Sequence, residues 1–127
     1  GDLDNDGWPD LVVSYTNSPV KLLRNEAAAA APNHWLGVRL VGRDHRDVVG
    51  STVVLEGETR KLTRFAKGGG SYLSAGDPRL LFGLGASLQA RRVTVRWSWG
   101  ESQTWDGLRP DRYYELREGQ AKALPDR

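Results

Sequence analysis

Asp2, Asp4, Asp6 and Asp10 fall within nine residues of the opening segment GDLDNDGWPDLVV, where four like charges repel one another unless a cation sits among them. Taken as one loop, D-L-D-N-D-G-W-P-D offers side-chain oxygens at loop positions 1, 3, 5 and 9 and a backbone carbonyl at position 7, Trp8. Gly7 permits the sharp bend that turns these donors inward. No histidine, cysteine or other nitrogen or sulfur donor lies nearby, and an all-oxygen set suits calcium, magnesium or manganese, calcium best. The spacing begins like an EF-hand loop but departs at its twelfth position, where Val13 replaces the bidentate glutamate, and LVVSY reads as a strand rather than an exiting helix. The expectation is a calcium loop held by Asp2, Asp4, Asp6, the Trp8 carbonyl and Asp10, leading into a hairpin. The alternative is a solvated acidic turn, which Asp, Asn and Gly favour without any metal.

Other candidate sites carry weaker signals. In KGGGSYLSAGDPR, residues 67–79, three glycines beside Lys67 and Ser71 offer backbone N–H groups to an anion. Neither phosphate-loop nor dinucleotide spacing is present, so the segment is expected to be a structural loop. Ser71, Tyr72, Ser74 and Asp77 are polar enough to line a ligand pocket at a loop end, the usual place for one on a sandwich. Trp99 and Trp105 flank the WGESQTW turn and, if exposed together, mark a patch for a protein, glycan or small-molecule partner. His45 lies in the polar turn GRDHRD and His34 begins a strand, and nothing brings either to one serine as a hydrolytic triad requires. No catalytic residue is assigned. Arg91, Arg92 and Arg96 beside Trp97 and Trp99 have the composition of a nucleic-acid surface. Strand alternation nevertheless sends Arg92, Thr94 and Arg96 to one face and Val93, Val95 and Trp97 to the other. Acidic side chains interspersed among the basic ones further weaken any field, and no nucleic-acid partner is expected.

These candidates need elements to position them. The 127 residues, 39% hydrophobic and 27% charged, suit one modest domain with an appendage. No apolar stretch approaches the roughly 18 residues needed to span a bilayer, so no membrane span is expected. Cysteine is absent, which excludes disulfides and thiolate chemistry and leaves the compartment open. No methionine or signal segment stands at the start, so the chain reads as a piece of a longer protein. Residues 1–26 carry two basic and five acidic side chains, the remainder sixteen basic and eleven acidic, as expected of two differently built segments. NEAAAAAPN joins them as a low-complexity spacer. Before it, LVVSY and VKLLRN flank the turn-rich TNSP as a hairpin. After it, HWLGVRLV, VVGSTVVLE, TRKLTRFA, RRVTVRWSW, SQTW and RYYELRE alternate with the period of strands between Gly, Asp and Pro clusters. The expected fold is all-β, an antiparallel β-sandwich or open barrel with Trp35, Phe65, Phe82, Trp97 and Tyr114 as the large core residues. The expected divisions are the calcium-loop hairpin at 1–26, a linker at 27–33, the β domain at 34–119 and a tail at 120–127. The hairpin and the β domain are expected to have separate cores.

DxDxDGxxDLVV followed by a turn and LLRNE resembles the calcium-binding FG-GAP or VCBS repeat, a piece of a β-propeller blade. NHWLGVRLVG, VVGSTVVLEG, KGGGSYLSAGDPRLLFGLG, VTVRWSWGESQTWDGL and DRYYELREG are similar to successive blocks of the ASPIC/UnbV domain, over about residues 33–119. VRWSWG departs from that family's usual Trp-Pro-Ser-Gly turn. The resemblance implies a domain that follows a row of calcium repeats in a larger protein, as in the cartilage acidic protein group and the UnbV proteins of enediyne gene clusters. One truncated repeat cannot close a propeller, so the upstream repeats of the parent protein are implied partners. The reading is a non-catalytic binding or interaction module. The alternative is an accessory domain that completes the active site of a parent enzyme in secondary metabolism, through loop residues such as Tyr72 and Asp77. A row of calcium repeats behind a signal peptide would favour a secreted or cell-surface address, a biosynthetic neighbourhood the enzyme.

Overall fold

The computed structural model describes residues 1–27, 33–70, 72–73, 75–86 and 90–126; most of the expected linker, together with Ser71 and Ser74, lies outside them. A short hairpin comes first, β1 (Leu11–Val13) paired antiparallel with β2 (Lys21–Leu23). The main body is built from β3 (His34–Val41), β4 (Thr52–Glu56), β5 (Lys61–Phe65), β6 (Leu80–Gly85), β7 (Arg92–Arg96), β8 (Ser102–Asp106), β9 (Tyr113–Arg117) and β10 (Leu124–Pro125). They form two four-stranded sheets ordered β10-β9-β3-β6 and β5-β4-β7-β8. The all-β sandwich expected from the alternation is what the chain forms. No helix among the described residues is long and apolar enough to cross a membrane.

One pairing runs against the antiparallel trend: β3 lies parallel to β9, with Gly37 opposite Tyr113 and Leu40 opposite Leu116. The two strands are far apart in sequence, so no tight turn dictates their direction, and a long connection permits the parallel sense. The core lies between the sheets. Leu36, Val38, Phe82, Leu84 and Leu116 from one sheet meet Val53, Leu55, Val93, Val95 and Trp105 from the other. Leu36, Leu55, Phe82 and Leu116 are essentially inaccessible, and each contributes roughly 1.5–3 kcal/mol by leaving water.

Three of the expected core aromatics are placed differently: Trp35 is buried, but on the outer face of its sheet rather than in the core between the sheets. Phe65 is 56% exposed, because it shares the outward parity of Lys61 and Thr63, while Leu62 and Arg64 take the inward one. Tyr114 is half-buried at the margin of the core, its hydroxyl accepting the Arg109 amide at 3.1 Å. Inward-pointing arginines also close one seam: Arg60 Nη2 donates to the Leu84 carbonyl at 3.1 Å and Arg64 Nε to that of Leu81 at 3.2 Å. The free edge of β6 is thereby capped with charge, which discourages pairing with another chain.

Candidate metal centre

The loop from Asp2 to Asp10 wraps on itself. Asn5 at φ 62° and Gly7 at φ 87° supply two left-handed bends, conformations that Asn and Gly adopt most readily, and the Asp10 amide closes the ring on the Gly1 carbonyl at 2.7 Å. Carboxylate oxygens of Asp2, Asp4 and Asp10 come within 4.8 Å of one another. Asp2 and Asp10 are buried and Asp4 is exposed. Asp2 accepts the amides of Asp6 at 3.1 Å and Gly7 at 2.8 Å. Asp10 accepts those of Asn25 at 2.8 Å and Leu3 at 3.0 Å. The Asn25 bond, then the Leu3 bond, hold its carboxyl below the usual aspartate range, because a hydrogen bond to the charged form favours that form. Asp6 stands slightly apart, with Oδ1 on the Trp8 amide at 2.8 Å.

A positive group does sit among the acids. Arg24, at the end of β2, places Nη2 2.7 Å from Asp4 and 3.8 Å from Asp6. Arg24 offsets only part of the charge of four carboxylates, which leaves the acidic side chains net negative. The remaining charge is spread over oxygen donors suited to a hard divalent cation, and no nitrogen or sulfur ligand is among the three that converge. The residues present therefore fit calcium, with Arg24 as a competitor for Asp4 and Asp6.

The loop is seated on the outer face of the β10-β9-β3-β6 sheet, which corrects the expectation of separate cores. The Tyr113 hydroxyl donates to Asp2 at 2.6 Å, and a Cβ placed on Gly7 would fall 2.1 Å from the Trp35 indole. Gly7 is thus needed for contact as well as for its bend. Arg79 ties the same assembly to the glycine-rich loop. It binds Asp77 through both carboxylate oxygens, reaches the Asp2 carbonyl at 2.9 Å and Asn5 Oδ1, and lies 4.1 Å over the Tyr113 ring. Burial pushes the Asp77 carboxyl up, but the hydrogen bonds from Arg79 outweigh it and the net shift is downward. Burial first, then the bond to Asp2, pushes the Tyr113 hydroxyl well up; it stays protonated and donates.

The remaining sequence candidates do not converge on this centre. Tyr72 is 89% exposed, and Asp77, though on the rim of a cavity of about 490 Å³ beside the glycines, is committed to Arg79. Trp99 is half-buried, stacked on Trp97 at 5.4 Å with Arg46 over its outer face at 4.4 Å. Trp105 is buried, since its parity on β8 points it between the sheets, so the two indoles form no common exposed patch. His34 pairs with Asp111 at 2.7 Å, and among the described residues neither histidine bonds a serine.

Tyr113, Arg79 and Arg24 escaped the sequence reading. The doublet YY does signal one tyrosine on each sheet face, but which face is covered depends on a segment a hundred residues away. Among known families, a model described as ASPIC and UnbV matches residues 42–123. That span leaves out β3, the strand that joins β6 to β9. No curated protein matches the chain.

Proposed function

The chain belongs to the ASPIC and UnbV family, matched over more than half its length, and from that premise we propose that it serves as a non-catalytic binding and interaction module of a larger protein, with calcium held in the Asp2–Asp10 loop. The observation that carries the metal reading is the convergence of Asp2, Asp4 and Asp10 within 4.8 Å in a loop folded by its own amides. Asp6 and the Trp8 carbonyl would complete the oxygen set. Bound calcium would supply the positive charge the loop lacks and cross-link its two ends. The chain's own contribution is orientation: Tyr113 and the amides of Asp6 and Gly7 fix Asp2, and those of Asn25 and Leu3 fix Asp10.

The hairpin supports placement beside further repeats. Leu11, Val12, Leu22 and Leu23 are each more than half exposed, and the pairing of Leu11 with Leu23 and of Val12 with Leu22 puts apolar side chains on both faces. A hairpin this short is marginal alone, and upstream FG-GAP or VCBS repeats of the parent protein would cover it. Calorimetry of calcium into chelator-treated protein tests the reading, both on this chain and on one extended upstream. Saturable uptake in the extended chain is expected; no heat at millimolar calcium in either would overturn it.

A further inference from the structure

Beside the acidic loop, on the outer face of the β10-β9-β3-β6 sheet, lies a cavity of about 330 Å³ that the calcium-ligand set does not explain. Two glycines of β6 form part of its lining. Gly83 faces Trp35 across the ladder and Gly85 faces His34, with a bulge in β3 between His34 and Trp35. A Cβ on Gly83 would meet nothing within 4 Å, so the glycine is not there to let the protein's own backbone approach. Glycine inside a strand otherwise weakens it, and an unfilled one marks a place where something else comes close. Bulges re-aim side chains next to sites, and this one turns His34 to the rim. Half-buried Trp8 lines the cavity beside the largely covered Trp35, and Asn33 and His34 bring hydrogen-bonding groups. His34 Nδ1 lies 2.7 Å from Asp111; with the proton on that nitrogen, Nε2 is left as an acceptor for a hydroxyl.

We propose that this cavity binds one neutral sugar ring. Its volume suits a single ring, and Trp8 suits a ring with an apolar face. Asn33 and His34 suit hydroxyl groups at the ring's edge. Neutrality follows from the lining, in which the one ionisable side chain, His34, already faces a carboxylate. This site gives the binding-module reading a ligand and rests on that reading, but not on calcium.

The experiment is a tryptophan-fluorescence titration of the whole chain with the methyl glycosides of glucose, galactose, mannose and N-acetylglucosamine, in calcium and in chelator. At least one should saturate, at a dissociation constant on the order of millimolar for a ligand of about a dozen heavy atoms. Gly83→Val, whose Cβ meets nothing within 4 Å, should weaken that glycoside at least tenfold while the melting temperature holds. Trp8→Ala and His34→Ala should weaken it as well. No saturation up to about 50 mM, full affinity in Gly83→Val, or saturation by adenosine in place of every glycoside would overturn the proposal. A null result here beside normal calcium uptake defeats the sugar site alone, and the converse defeats the calcium loop alone.

Discussion

The two sheets of this sandwich turn different surfaces outward. On β5-β4-β7-β8 the outward residues form rows across the strands: Thr63, Val54, Thr94 and Thr104 in one, Lys61, Glu56, Arg92 and Asp106 in the next. Lys61 pairs with Glu56 at 2.6 Å and Arg92 with Asp106 at 2.9 Å, and such a surface is stable in water as it stands. On β10-β9-β3-β6 the outward face divides: Arg39, Glu115, Arg117 and Asp126 form an ion network at one end, and Trp35, Tyr113, Gly37 and Gly83 occupy the other. Trp35 and Tyr113 are 7% and 4% exposed because the acidic loop, and over Tyr113 also Arg79, lies on them. Large aromatics alternating with glycine on an outward face therefore mark a surface built to be covered, and paired charges with threonine mark one built to stay wet.

The largest effect should come from breaking the covered face. Gly7→Val places a branched side chain at φ 87° and against the Trp35 ring, which should cost roughly 3–5 kcal/mol of loop docking. Urea melts, near-ultraviolet dichroism of Trp35 and loss of calcium uptake would register it; Gly83→Ala on the same face should stay within about 0.5 kcal/mol. Next comes a contrast between two aspartates. Asp2→Ala strands the Tyr113 hydroxyl and two amides and should lower stability by roughly 2–3 kcal/mol. Asp6→Ala should abolish calcium uptake while the sandwich melts as before, because among the described residues its side chain bonds only Trp8 and Arg24; a shared loss of fold would break the distinction.

Arg24→Gln should strengthen calcium binding about two- to fivefold, the range for removing one exposed competing charge, and calorimetry at two salt concentrations would show it. A smaller effect is expected of pH. The folded-state carboxyl of Asp77 lies below its ordinary value of 3.8. Its contribution to the Arg79 latch is therefore complete above that value and lost as pH falls through the lowered one. Tryptophan emission should shift below about pH 4, and Asp77→Asn should flatten the shift. Smallest of all, Thr94→Ala or Arg92→Ala on the wet face should leave the melting temperature within about 1 °C. Oligonucleotides at near-physiological salt should show no micromolar binding, as expected where the arginine is already neutralised by Asp106.

How much was legible differs from strand to strand. RRVTVRWSW assigned its own faces, since every second residue is apolar and the partner sheet supplies the same demand. TRKLTRFA misled: its outward Phe65 suggested core, whereas the inward parity held Leu62 and Arg64, and an edge strand tolerates an arginine turned toward a neighbouring carbonyl. LLFGLG does not read as a strand because its glycines interrupt the pattern, and those glycines are the outward positions beside Trp35 and His34.

The chain's sequence by itself determined the all-β class, the turns and the clustering of aspartates, because alternation, glycine placement and ligand spacing act over a few residues. Only the tertiary structure decided that the acidic loop lies on Trp35 and Tyr113, that Arg24 and Arg79 reach it from elements far along the chain, and that β3 pairs parallel with β9. Those outcomes depend on which distant faces meet. A local pattern states that a face is apolar or charged, and packing alone selects what covers it.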